Sequence, residues 1–131
     1  LKCADAPIAG SGLHLPSDAD VGSWRARHVG LLGVSTHSLE RALAAQRAGA
    51  DYVLLGPAFT PTSKPLDRRP TLGIAVIARA QAALDIPVFA LGGVDLARAR
   101  ELRRAGVYGA AVLGLLASDP ELAVALEEAL R

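Results

Sequence analysis

Two junctions in this chain, "AQRAGADYVLLG" and "LRRAGVYGAAVLG", run from a helical pattern through Ala-Gly directly into an apolar stretch. No other feature restricts the fold more. A helix that stops at glycine and yields at once to a strand returns the chain to its sheet. Repetition of that step gives consecutive βα units with right-handed crossovers. Four apolar stretches fit as strands: Val29–Val34, Tyr52–Gly56, Pro87–Gly93 and Gly109–Leu116, with a weaker one, Gly12–Leu15, ahead of them. None alternates apolar with polar residues, so each is predicted to be covered on both faces, as parallel strands of α/β proteins are.

Helical segments fill the intervals. Ser38 caps "LERALAAQRAGA", with Leu39, Ala42 and Leu43 inward and Gly49 as the stop. Asp95 caps "LARARELRRAG", with Leu96, Ala99 and Leu102 on one side and Gly106 at the end. The last helix opens at Ser118 or Asp119 with Pro120 in its first turn, and a fourth, without a clear cap, covers Leu72–Leu84. The 131 residues suffice for one domain, 1–131, with a real core. Aromatic residues make up only 4 %, so that core is built from Ala, Leu, Val and Ile, which suits helices on parallel strands better than a β-sandwich. A doubly wound open sheet and a (β/α)8 barrel both satisfy this pattern. In either, ligands bind at the carboxyl ends of the strands.

Charge and cysteine usage narrow the partners. The net charge of +1 gives no reason to expect nucleic acid or an acidic membrane surface. Cys3 is the only cysteine, which excludes an intrachain disulfide and a thiolate metal site. No apolar run has membrane-spanning length and no signal peptide is visible, so a soluble cytoplasmic domain is expected.

The strand ends carry "HLPSDAD", "STHS", "GPAFTPTSK", "GGVD" and "GLLASD". Bare amides at Gly92 and Gly93, close to the start of a helix, suit a phosphate; a tight turn would also need glycine there. Gly114 can add a second wall to the same pocket. In "GPAFTPTSKP", Pro57, Pro61 and Pro65 rule out regular structure. The loop is long for a βα connection, and Thr60, Thr62, Ser63 and Lys64 can fold over a phosphate or diphosphate or stay solvated. His37 is placed to shuttle a proton or to serve as a capping or surface residue. His14 points into the site or into packing, His28 is predicted to face solvent, and Arg98, Arg100, Arg103 and Arg104 form a solvated charged face.

Taken in order, "GLHLPS", "GVSTHSLERALAAQRAGADYVLLGPAFTPTSK", "IPVFALGGV" and "GAAVLG" resemble the thiamine phosphate synthase and thiazole tautomerase family. The resemblance runs from about Gly12 to the end and is most specific from Gly33 to Lys64. It implies the C-terminal part of a (β/α)8 TIM barrel, about five βα units of parallel strands with outer helices. The family's first three strands have no counterpart, so the resemblance describes a fragment, an excised portion or a protomer that needs a partner. Exposed sheet edges then lead us to expect a homo-oligomer.

Two activities divide the family. The synthase joins a pyrimidine diphosphate to a thiazole phosphate with magnesium and releases diphosphate; its diphosphate loop matches Thr62, Ser63 and Lys64. The tautomerase moves a proton on a thiazole carboxylate phosphate without a metal, and its proton carrier matches His37. Where the synthase has "HLGQ" and a magnesium-binding aspartate, this chain has Pro16 and Ser17, with Asp18 and Asp20 flanking Ala19 at the matching position. The departure ranks the tautomerase first, the synthase second and a non-catalytic phosphate-binding remnant third. The implied ligand is a small molecule, thiazole phosphate or thiamine phosphate. Gly92, Gly93 and Gly114 would hold its phosphate, and magnesium is needed only by the synthase.

Overall fold

The apolar stretches form strands, most of them shorter than the sequence suggests, and residues 113–116 of the stretch Gly109–Leu116 lie outside the described residues. A computed structural model describes residues 11–60, 70–112 and 122–131. Its elements are β1 (Leu13–Leu15), α1 (Val21–Arg25), β2 (Leu32–Thr36), α2 (Leu39–Arg47), β3 (Tyr52–Leu55), α3 (Gly73–Ala83), β4 (Val88–Leu91), α4 (Leu96–Arg104), β5 (Gly109–Ala111) and α5 (Leu122–Leu130). The caps expected for α2 and α4 hold, whereas Ser118, Asp119 and Pro120, expected to open the last helix, lie outside the described residues. Ser38 accepts from the Arg41 amide at the start of α2 and Asp95 from the Arg98 amide at the start of α4. Gly106 closes α4, with its amide and that of Val107 returned to Arg103 and Leu102. Helix α1 was not legible beforehand; its cap, Asp20, lies among other polar residues.

All five strands are parallel and lie in the order β1-β2-β3-β4-β5. A doubly wound sheet reverses direction at a switch point, and this one does not. Crossovers of one hand between successive neighbours put every helix on the same face, which is the winding of a barrel. Helix α2 packs on β2 and β3, α3 on β4, and α4 on β5. The register aligns Leu15, Val34, Val53 and Val88 across the sheet. These and Leu32, Leu55 and Ala90 are buried against Ala42, Ala45, Ile77, Ala80, Ala99 and Leu102 of the helices. Strand side chains alternate, so His14, Ser35, Tyr52, Leu54, Phe89 and Leu91 occupy the opposite face, and all six are only half-buried.

Three expectations need correction. The stretch Val29–Val34 is not one strand: Val29 is fully exposed, and β2 instead runs on through Ser35 and Thr36. Before that strand the carbonyls of His28 and Gly30 accept from the Arg25 guanidinium at 3.0 and 3.1 Å in place of a ladder partner. His28 does not face solvent but is buried, because Gly30 leaves room for its ring; a Cβ there would lie 2.8 Å from Nε2. Finally, β4 ends at Leu91, since Gly92 and Gly93 turn to positive φ of 98° and 63°.

The amino ends of the strands are tied by long polar side chains. Arg25 also donates to the Gly49 carbonyl and pairs with Asp51, whose carboxylate accepts the Leu32 amide. Gln46 receives the amides of Asp85 and Ile86, and Gln81 receives those of Val88 and Tyr108. These bonds fix one end of the sheet and leave the carboxyl ends for chemistry.

Candidate functional site

At the carboxyl ends, the segment after β3 and the turn after β4 are joined backbone to backbone. The Gly56–Pro57 peptide is cis, and beyond it Ala58 donates to Leu91 at 2.7 Å and Phe59 to Gly92 at 3.0 Å. The two chains lie so close that a Cβ on Gly93 would meet the carbonyl oxygens of Phe59 and Thr60 at 2.6 and 2.7 Å. Amides of Gly92, Gly93 and Val94 donate to no acceptor among the described residues. Successive bare amides of this kind, just before the α4 N-terminus, form a concavity suited to an anion.

His37 stands at the end of β2, exposed, with Nδ1 donating to the Gly56 carbonyl at 2.6 Å. That bond fixes the tautomer: in the neutral ring Nε2 is the acceptor, available to a substrate proton. Sequence reasoning thus placed His37, Gly92 and Gly93 at one end of the sheet, and the structure brings them there. Thr62, Ser63, Lys64 and Gly114 lie outside the described residues.

The sequence did not single out Ser35 and Tyr52 and left His14 undecided. On the open face, His14 Nε2 lies 2.9 Å from Ser35 Oγ, and Nδ1 lies 3.1 Å from the Tyr52 hydroxyl. The Tyr52 ring lies over Gly33, where a Cβ would sit 2.0 Å from Cζ. Burial pushes the His14 pKa down and the Tyr52 pKa up, so the row is uncharged near neutral pH and each member can donate or accept. Rings continue it across the face: Tyr52 meets Phe89 edge-on at 5.8 Å, and Phe89 meets Tyr108 at 5.2 Å. The available signal was a histidine, a serine and a tyrosine in otherwise apolar stretches; the register sets His14 and Tyr52 on either side of Gly33, with Ser35 two residues along on the same face.

Arg98 also departs from expectation. It is half-buried, donates to the Gly93 carbonyl at 2.6 Å, and stacks over the Phe59 ring at 4.8 Å. Arg100 and Arg104 are exposed, as a solvated face requires.

Among the described residues, the carboxylates near β1 do not gather as a set of magnesium ligands. Asp20 is committed to α1, accepting the Ser23 amide and hydroxyl at 3.2 and 2.6 Å; those bonds lower its pKa. Asp18 is exposed without a partner among the described residues, which hold no group of three or more His, Cys, Asp or Glu able to bind a metal. The described side chains do not form a metal site.

A singly wound row of parallel βα units, with bare amides and a hydrogen-bonded polar row at the carboxyl ends of its strands, defines the (β/α)-barrel class of fold. The chain belongs to the thiamine monophosphate synthase family, whose model matches residues 5–116. It is 38 % identical over 130 residues to thiamine-phosphate synthase of Geobacillus kaustophilus, covering 95 % of this chain and 58 % of that protein. With thiamine-phosphate synthase of Salinispora tropica it shares 40 % over 123 residues, 90 % of this chain and 59 % of the relative. The solved thiamine phosphate pyrophosphorylase of Pyrococcus furiosus superposes with a TM-score of 0.75 at 29 % identity, over 92 % of this chain and 61 % of that one. The chain therefore spans about three fifths of these relatives. Their names favour the synthase, which the sequence ranked below the tautomerase. No helix among the described residues is long and apolar enough to cross a membrane.

Proposed function

We propose that this chain supplies the carboxyl-terminal part of a thiamine phosphate synthase site, which joins hydroxymethylpyrimidine diphosphate to thiazole phosphate and releases diphosphate. The observation that carries this reading is the pairing of two recognition elements at the carboxyl ends of the strands: the bare amides of Gly92, Gly93 and Val94, and the neutral His14–Ser35–Tyr52 row. A phosphate suits the first, and a ring bearing both donors and acceptors suits the second. The relatives' shared name supports the same reaction. Thr62, Ser63 and Lys64 are proposed to hold diphosphate, and Gly114 to face the phosphate from the next turn. Magnesium would arrive with the diphosphate, since that ion keeps most of its ligands as water and phosphate oxygen.

One observation favours the tautomerase as a second reading. His37 presents a free Nε2 on a ring fixed by Gly56, as a proton carrier requires. The experiment incubates the chain with both synthase substrates and magnesium and measures thiamine phosphate. Product formation that survives His37→Ala establishes the synthase. Exchange of the proton on thiazole carboxylate phosphate, lost in His37→Ala, establishes the tautomerase instead. Thiamine phosphate that raises Tm without either turnover overturns both.

A further inference from the structure

The turn after β4 contains two consecutive glycines, and such peptides flip easily unless something holds their carbonyls. Here three carbonyls in a row are held from one side. Leu91 accepts from Ala58 at 2.7 Å, Gly92 from Phe59 at 3.0 Å, and Gly93 from the Arg98 guanidinium at 2.6 Å. The first two partners are backbone amides that any sequence supplies. The third is a side chain. It reaches back from the first turn of α4 and is steadied by the Phe59 ring at 4.8 Å and, more loosely, by Asp95 at 3.7 Å.

In a trans peptide the N–H points opposite to the C=O. Holding the Gly93 carbonyl against the Phe59 side therefore turns the Val94 amide to the other side, in line with those of Gly92 and Gly93. We infer that Arg98 is a positioning residue for an anionic ligand group: it fixes the Gly93–Val94 peptide so that the third amide of the concavity faces the ligand. The inference rests on the phosphate-binding reading of Gly92 and Gly93. The guanidinium acts from behind the peptide, so its charge contributes through orientation and not through contact. Phe59 sets the approach of Arg98, because a planar guanidinium stacks on a ring while donating in its own plane.

The test titrates isotopically labelled chain with thiamine phosphate and follows the amide signals of Gly92, Gly93 and Val94, with Tm measured alongside. Wild type is expected to give single signals that shift on binding. Arg98→Ala is expected to bind about tenfold more weakly, with the Val94 signal broadened or doubled before ligand is added. Arg98→Lys, which keeps the charge but loses the stacked fork, should recover less than half of that loss. Phe59→Leu keeps Arg98 and removes only its shelf, and should give a smaller change of the same kind; it also serves if Arg98→Ala does not fold. Wild-type signals that ignore thiamine phosphate would overturn the phosphate reading itself. Normal wild-type binding with an unaltered Val94 signal in Arg98→Ala would overturn the positioning role alone. Full rescue by lysine would overturn it too, by showing direct contact between charge and ligand.

Discussion

Gly93→Ala should be far more damaging than Gly106→Ala, although both glycines sit at positive φ, 63° and 79°. A side chain in that region costs about 1–2 kcal/mol, partly offset by a gain of about 0.4–1 kcal/mol from a stiffer unfolded chain. Those terms are common to both sites. What differs is space. Around Gly106 nothing lies within 4 Å of the new Cβ, whereas at Gly93 it meets two carbonyl oxygens at 2.6 and 2.7 Å. Both oxygens belong to backbone, so no rotamer change relieves the clash. The Phe59–Thr60 segment must move, at about 1–3 kcal/mol. For a chain of this length each kcal/mol corresponds to roughly 3–4 °C in Tm. Gly106→Ala should lower Tm by no more than about 6 °C, and Gly93→Ala by roughly a further 3–12 °C. Thermal unfolding by circular dichroism reads both. Equal shifts would refute the close approach between the β4 turn and the Phe59 segment, and with it the geometry of the proposed anion site.

Arg25→Ala removes three bonds to carbonyls and one ion pair at the amino ends of the strands, and should cost about 2–3 kcal/mol in denaturant unfolding, with only partial recovery in Arg25→Lys. A loss below about 1 kcal/mol would show that water replaces those contacts. For His14, burial lowers the folded pKa below the ordinary histidine value of 6.5. The unfolded chain then binds the proton more readily, so this group's contribution to stability is complete above pH 6.5 and falls away as pH drops through it. Between pH 7.5 and 5, His14→Gln should therefore flatten the fall of Tm, and parallel curves would contradict that sign. Gln81→Ala leaves the amides of Val88 and Tyr108 without their acceptor and should cost about 1–2 kcal/mol, while Gln81→Glu, which keeps it, stays near wild type. Faster hydrogen exchange at those two amides in the alanine variant is the direct readout.

What the sequence determined by itself was local. The βα rhythm, the caps Ser38 and Asp95, and the stop at Gly106 depend on bonds spanning three to five residues, and each is written in adjacent letters. His37, Gly92 and Gly93 could be placed at strand ends for the same reason. Tertiary structure decided whatever depends on which strands are neighbours. Strand order put every helix on one face and left His14, Ser35 and Tyr52 together on the other, though 21 and 38 positions separate His14 from its two partners. Arg25 ties the amino ends of the strands together through Gly49, 24 residues away, and Asp51, 26 residues away. Arg98 looked like part of a solvated charge run because the sequence does not show that Phe59 and the Gly93 carbonyl lie beside it. Hydrophobic period and capping report only an element's own environment. Contacts between strand ends arise when the sheet assembles, so the row on the open face and the arginine behind the glycine turn became visible only there.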